Sequence, residues 1–360
     1  MTILDRYILK KFLFIFLFVV MGMIVIFVVI DLIENLDKFL SYRASVGQVI
    51  LYYLYYIPFI VVLTLPIDML ISSLFSMGTM AQHNEIIACQ SAGISLYRLL
   101  LPLLIAALFI SIVTGIATET IVVDANRARL DLFRYQIKKE KRLPLKTRTQ
   151  IAIQDGNNRQ VYIQYYNENR RVARGVNIIF LKDTRIVKRL DARRMEWDST
   201  AHGWILYGVT LRKFTPGEEH VIRQDTVHYF HSRIRPEDLL DMERKPEEMK
   251  FTELRRFIQR TQQLGIDVRR WLVDLHMKIA YPFANFIIVL FGAPLASRKR
   301  RSGPAISFAI ALLITFIYFI FLQSGQVLGH DGTLPPWLAA WLGNLVFGIG
   351  GLFLFIAIRK

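Results

Sequence analysis

One cysteine, Cys89, is present in 360 residues, so the chain forms no disulfide within itself and its redox compartment is not written in its cysteines. No G-x-x-x-x-G-K-[ST] loop occurs, so the chain does not read as an ATPase by itself. Metal-binding and hydrolytic patterns are missing too. His202, His220, His228, His231 and His330 are scattered, and His228-x-x-His231 lacks the spacing of a helical metal site. No catalytic residue, metal or cofactor is expected in this chain. Charge is also scarce over long stretches, although the net charge is +16 and 53% of residues are hydrophobic.

Those stretches are six apolar runs: Phe12–Ile30, Ser45–Met77, Leu99–Thr118, Trp271–Ser297, Pro304–Leu328 and Pro335–Ile358. About 20 helical residues cross a hydrocarbon core of ~30 Å, so each run reads as a membrane span. The first run is long for a signal peptide. Asp31-Leu-Ile-Glu34 follows it in place of a small-x-small cleavage site, so it reads as a retained span. Pro58 and Pro66 lie inside the second run and are tolerated in membrane helices.

Basic residues in short loops set the orientation. With the N-terminus in the cytoplasm, Arg6, Lys10, Lys11, Arg98, Arg298, Lys299, Arg300, Arg301, Arg359 and Lys360 lie inside. The short outside loops then hold only Lys38 and Arg43. Both termini and the polar stretch Met80–Arg98 are therefore expected in the cytoplasm. A long insert, Glu119–Arg270, faces outward. The expected fold is a polytopic α-helical membrane protein with six transmembrane helices in a 3+3 arrangement: spans in 1–118, an external domain in 119–270, spans in 271–360.

The insert begins helical, with Glu119–Arg142 continuing the third span. Near its end Phe251, Leu254, Phe257, Ile258, Thr261 and Leu264 recur at helical spacing. That amphipathic helix either lies on the membrane–water boundary or packs on its own domain. Between these helices the period changes to two. Ile151 and Ile153, then Val161 and Ile163, alternate with polar residues, and further strands are expected at Gly175–Leu181, Arg185–Leu190, Trp204–Phe214 and His220–Phe230. The segments Asp155–Asn158, Asn167–Asn169, Asp198–Gly203 and Thr215–Gly217 read as turns. Strands spaced this way, over about 145–235, imply a sandwich, jelly roll or open barrel.

From Glu119 to Lys278 there are 33 Lys and Arg against 22 Asp and Glu, and Lys138–Arg148 alone holds six cations and one anion. Such a surface suits anionic lipid headgroups or an anionic substrate, or is a plain solvated charge run. Nucleic acid is a poor partner outside a membrane. Asp68, in Leu65-Pro-Ile-Asp68, lies at membrane depth, where a carboxylate faces a partner or a polar cavity. It serves either packing or a proton relay. Lys278 either snorkels to headgroups or meets a substrate phosphate.

Several short motifs then align with one family. Leu65-Pro-Ile67 followed by Met80-Ala-Gln-His-Asn-Glu-Ile-Ile-Ala-Cys-Gln-Ser-Ala-Gly93 resembles the LptF/LptG (YjgP/YjgQ) permeases of lipopolysaccharide export. Leu4-Asp-Arg-Tyr-Ile8, Asp155-Gly-Asn-Asn158 with Val161-Tyr-Ile163, Lys278-Ile-Ala-Tyr-Pro282 and Leu334-Pro-Pro-Trp-Leu-Ala-Ala-Trp341 extend the likeness over nearly the whole chain. The opening and the last loop are more similar to LptG-type members.

The resemblance implies a Gram-negative inner-membrane permease with a periplasmic β-jelly roll. Its implied partners are an LptF-type permease, an LptB-type ATPase dimer that binds ATP and Mg, an LptC-type bitopic protein and an LptA-type bridge. The stretch 80–98 becomes a coupling helix, with Glu85, Ala92, Gly93 and Arg98 at the ATPase contact. Ile163, Ile178 and Phe180 fall in the acyl-chain path, and Lys38, Arg43 and Lys278 in the headgroup contact. The end of span one, Ile30–Lys38, is mainly acidic here, a departure from the family's basic pattern. Two other readings remain: a scaffold or force-transmitting subunit that moves no lipid, and a proton-coupled transporter using Asp68.

Overall fold

Helix starts in the computed structural model coincide with caps written into the sequence. It describes residues 2–138, 147–156, 158–167, 170–182, 185–200, 202–215, 218–230, 232, 234–236, 239, 246–263, 266–297 and 304–357. Leu264, the cations at 298–301, Arg359 and Lys360, His231 and most of the basic run 138–148 lie outside the described residues, as do parts of the four expected turns.

Thr2 opens α1 (Ile3–Ser41) with a capping box: its backbone N–H donates to Asp5 Oδ2 at 2.7 Å, and its hydroxyl accepts from the Asp5 N–H. Ser45 and Gln48 make the same box at the start of α2 (Val46–Gln82). A short α3 (Glu85–Ser91) leads to α4 (Leu96–Ala117), capped by Ser95. Two π-helical turns, Thr118–Val122 and Leu132–Ile137, flank α5 (Val123–Asp131), so one helical rod runs from Leu96 to Ile137. At ~1.5 Å per residue it is about twice as long as a hydrocarbon core is thick. After the β domain come α6 (Phe251–Gln263), α7 (Arg269–Ala296), α8 (Pro304–His330) and α9 (Pro336–Ile356).

Among the described residues, six helices are long and apolar enough to cross a membrane: α1, α2, the rod from α4, α7, α8 and α9. Three precede the β domain and three follow it. The chain divides into two compact units, residues 1–139 with 246–251 and 269–360, and residues 140–245 with 252–268. The first is the helical unit. Met69, Leu70, Met77, Leu99, Leu103, Ile288 and Tyr318 are fully buried in its core. Small residues bring its helices close. A Cβ on Gly292 of α7 would collide with Leu70 Cδ1 of α2, and one on Gly325 of α8 with the Ala339 carbonyl of α9.

The second unit is a six-stranded antiparallel meander in which consecutive strands pair: β1 (Thr147–Gln154), β2 (Arg159–Asn167), β3 (Val172–Lys182), β4 (Arg185–Asp198), β5 (Gly203–Thr215) and β6 (Glu218–Phe230). The expected strands are all present, and β4 runs eight residues beyond the expected Leu190. The reason lies in the pleat. Buried residues are three apart, not two, at Ile163/Tyr166, Ala173/Val176, Ala192/Met195 and Leu206/Val209. Pairing is interrupted there along a single row: Gln150, Gln164, Gly175, Arg193, Gly208 and Asp225. Gln150, Gly175 and Gly208, on alternate strands, take φ of 57°, 63° and 63°. The sheet is thus creased across its width, and the alternation visible in the sequence stops at the crease.

A Cβ at Gly175 would come 2.6 Å from Gln164 Oε1, in addition to the left-handed backbone it would have to adopt. Gly175→Val is expected to destabilise the β unit by at least ~1–2 kcal/mol, read as a lower denaturation midpoint with the helical unit's transition unchanged. The apolar face of the sheet is covered by the chain's own Ile234, Leu239 and Ile266. Trp204 is fully buried there and donates its indole N–H to the Ile234 carbonyl at 2.7 Å. In α6 the stripe Leu254, Phe257, Ile258 and Thr261 is buried by the chain itself. This favours packing on protein over the membrane–water boundary.

Candidate functional site

The polar stretch 80–98 folds as a corner. Gln82 ends α2, and Asn84 reverses the chain in a left-handed conformation, φ 58°. After α3, Gly93 at φ 83° reverses it again, with the Ile94 N–H donating to the Cys89 carbonyl at 3.0 Å. Ile86 is the anchor, buried with Met80, Leu96 and Leu99. Ile87, Gln90, Ser91, Ala92 and Gly93 are exposed. The corner therefore presents a small, mixed surface on a firmly seated turn.

Glu85 opens α3 and is held by α1. Tyr7 donates its hydroxyl to Glu85 Oε2 at 3.0 Å, and Lys11 Nζ donates to Oε1 at 3.4 Å. The Glu85 side chain is still 29% exposed. Arg98 turns the same way, with Nη2 at 2.8 Å from Asp5 Oδ2. Glu85, Ala92 and Gly93 thus share the corner, whereas Arg98 fastens α4 to α1. The hydrophobic pattern carries no sign of this double link to α1.

Among the cations proposed for headgroups, Lys38 is exposed near the end of α1 and donates to Asn35 Oδ1 at 2.7 Å. Arg43 is exposed in the next turn, at φ 51°. Lys278 neither snorkels nor stands free. Its ammonium lies 3.0 Å from Glu119 Oε1, with 11% of its side chain exposed. Glu119 Oε2 also accepts the Phe251 N–H at 2.5 Å. One carboxylate, in a π-helical turn, therefore joins α4, α7 and the start of α6. Lys250 pairs with Asp124 at 2.8 Å beside it.

A further cation was not legible as a site. Arg129 of α5 stacks its guanidinium on Tyr56 of α2, 4.0 Å from the ring centroid, with Tyr52 and Phe59 within 6 Å. Its Nε has no hydrogen-bond partner. The signal was present as aromatics at positions 52, 53, 56 and 59, one face of α2, with an arginine in the charged extension of span three. Tyr53 donates to Asp31 Oδ2 at 3.0 Å, so the acidic end of α1 is tied into the same aromatic cluster.

In the β unit, Ile163 and Ile178 are fully buried on the covered face. Phe180, near the end of β3, is half-buried, with Lys188 Nζ 4.8 Å above its ring. The three lie on one apolar surface, and Phe180 is its accessible margin. Asp68 is completely buried in α2.

Six spans in two groups of three, with a β domain inserted between the groups, define a multi-pass membrane protein of permease architecture. The chain belongs to the lipopolysaccharide export system permease LptF/LptG family, whose model matches residues 6–357. It is 22% identical over 361 residues to lipopolysaccharide export system permease protein LptG of Escherichia coli K12, covering 98% of this chain and 97% of that one. It is 30% identical over 81 residues to LptF of the same organism, 22% of each chain, and likewise to LptF of Shigella flexneri.

Proposed function

We propose that the chain is the LptG-type subunit of an ATP-driven exporter that draws lipopolysaccharide from the outer leaflet of the inner membrane. The observation that carries this reading is the family match from residue 6 to 357, spanning all six membrane helices and the β unit. In this reading both termini and the corner 80–98 face the cytoplasm and the β domain is periplasmic. An LptF-type permease completes the cavity. An LptB-type ATPase dimer binding ATP and Mg docks on the corner through Glu85. LptC-type and LptA-type proteins receive the lipid from the β domain.

The physical need for that domain follows from magnitudes. One ATP supplies on the order of 10 kcal/mol, while exposing each buried CH₂ costs ~0.8 kcal/mol. A multi-acyl lipid is not released into water at that exchange rate, so it needs an apolar path. The covered face holding Ile163, Ile178 and Phe180 supports such a path, entered from the Phe180 margin once the cover formed by Ile234, Leu239 and Ile266 shifts. In this reading Arg129, whose guanidinium lies on its aromatic bed, is a candidate for a lipid phosphate in place of Lys278, which is already paired.

Co-purification of the chain with its partners, followed by lipid analysis, tests the reading. Recovery of an ATPase and lipopolysaccharide is expected. A complex that hydrolyses ATP but never holds lipid would favour the scaffold alternative. A photocrosslinking residue at Phe180 is expected to trap lipid during ATP turnover, with Ile163 and Ile178 labelled later and less. Labelling at Ile163 without Phe180 would contradict the entry at the margin.

A further inference from the structure

Two pairs of like charges stand side by side at the hairpin tips of the β sheet, and the chain neutralises only one of them. Lys188 of β4 is directly opposite Lys213 of β5, and the next residue, Arg189, is opposite Arg212. Like charges facing each other across a strand pair are destabilising. Side chains alternate between the faces, so the two pairs project from opposite sides of the sheet.

On the solvent side the repulsion is relieved. Asp191 takes both arginines, with Arg189 Nε 2.8 Å from Oδ1 and Arg212 Nε 3.4 Å from Oδ2. Arg212 also meets Glu219 at 3.2 Å. Near the crease Arg194, opposite Arg174, pairs with Glu196.

The lysines have no such partner. Among the described residues no carboxylate pairs with Lys188 or Lys213. The acids at this end are engaged elsewhere: Asp155 with Arg159 at 3.4 Å, Asp191 and Glu219 with the arginines, and Glu218 beside His220 at 3.5 Å. Lys182 and Arg185, opposite each other beside the β3–β4 turn, add further positive charge.

The lysine pair stands on the apolar side of the sheet. The next row inward on that face is Ile178, Leu190, Leu211 and Ile222, paired in turn across β3 to β6. Ile178 and Leu190 are buried, Leu211 packs on the same core, and Ile222 is 43% exposed. The row of the lysines themselves runs Phe180, Lys188, Lys213, His220. Lys188 holds its ammonium 4.8 Å above the Phe180 ring, and Lys213 is exposed. An open apolar margin therefore ends in two neighbouring ammonium groups that lack an anion. Its complement is an amphiphile, with hydrocarbon against Phe180, Leu211 and Ile222 and an anionic head between the lysines. A phosphate has several acceptor oxygens and can take a charge-assisted hydrogen bond from each ammonium.

We propose that Lys188 and Lys213 bind the phosphate of a lipid whose acyl chain enters the β domain beside Phe180. The identity of that lipid, lipopolysaccharide, rests on the export reading. The site adds a direction to it. The phosphate stays at the hairpin tips, the end of the sheet away from Thr147 and Phe230, and the acyl chain points toward the crease.

The full-length chain in dodecyl maltoside, with a photocrosslinking residue at Phe180, tests this with two probes, dodecyl phosphate and dodecanol. Charge-assisted hydrogen bonds are expected to give dodecyl phosphate a preference of about tenfold or more. Lys188→Gln with Lys213→Gln should abolish that preference and leave the trapping of dodecanol unchanged. Lys188→Glu supplies the missing anion from the chain itself, so it should abolish the preference while raising the denaturation midpoint of the β unit. Equal trapping of the two probes by the wild type, or a preference that survives either variant, would overturn the proposal. In the complex with its ATPase the same crosslinker is expected to trap lipopolysaccharide, and less of it in the lysine variants. Lipopolysaccharide trapped equally with and without the lysines would overturn the site and leave the export reading standing. A lysine-dependent phosphate preference with no lipopolysaccharide trapped would keep the site and overturn the export reading.

Discussion

Glu85→Lys is expected to strip the ATPase from the purified complex and to stop export. A desolvated carboxylate–guanidinium contact is worth ~2–5 kcal/mol, or a loss of about thirtyfold to several thousandfold in affinity. The structure adds a complication that makes the test sharper. Glu85 already binds Tyr7 and Lys11 of α1, so docking through it must compete with an intrachain clasp. Lysine at 85 would also face Lys11 as a like charge. If Glu85 acts only as that clasp, Lys11→Met and Tyr7→Phe should release the ATPase equally. If it meets the partner, these two variants should retain the ATPase and Glu85→Lys alone should lose it. Quantitative pull-down of the three variants separates the cases.

Reversing Lys278 should have the other large effect, on stability. Its pair with Glu119 is mostly buried, and removing one partner of such a pair costs ~3–5 kcal/mol because the other charge is stranded. Lys278→Glu places two carboxylates together and is expected to lower the thermal midpoint of the helical unit sharply. The exchange Glu119→Lys with Lys278→Glu restores the pair but not the acceptor for the Phe251 N–H, so it should recover part of the loss. A Lys278→Met variant that keeps full stability yet loses bound lipid would show that this lysine meets substrate and does not brace helices.

The spans were legible because hydrocarbon imposes a long, uniform constraint on composition. Even so, α1 outlasts its apolar run: 31–41 stays helical, since Asn35 and the charges at that end still alternate with buried Phe39. The corner was legible as a polar gap, but its fastening was not. Arg98 finds Asp5, and Lys278 finds Glu119, across 93 and 159 residues of chain. No local period encodes such pairs. Glu85 was identified by resemblance, and its grip on α1 appears only in three dimensions. In the β unit, alternation revealed β2 and β5 but ended β4 at Leu190, shortly before Arg193, where the pleat changes phase and two arginines stand side by side on the exposed side.

That change of phase has a bearing on how the domain keeps its strands aligned. In a plain antiparallel meander, a slip of one residue exposes the core, but a slip of two leaves every apolar side chain on its proper face. Strands of 13 and 14 residues, such as β4 to β6, are open to that error. Here each strand carries its notch in the same row, with glycine at two of the three left-handed positions. Sliding β3 or β5 by two residues carries its notch out of line, forcing a side chain into a left-handed site and a glycine into an ordinary one. The row therefore indexes the six strands against each other, so that even-numbered slips are penalised as well as odd ones.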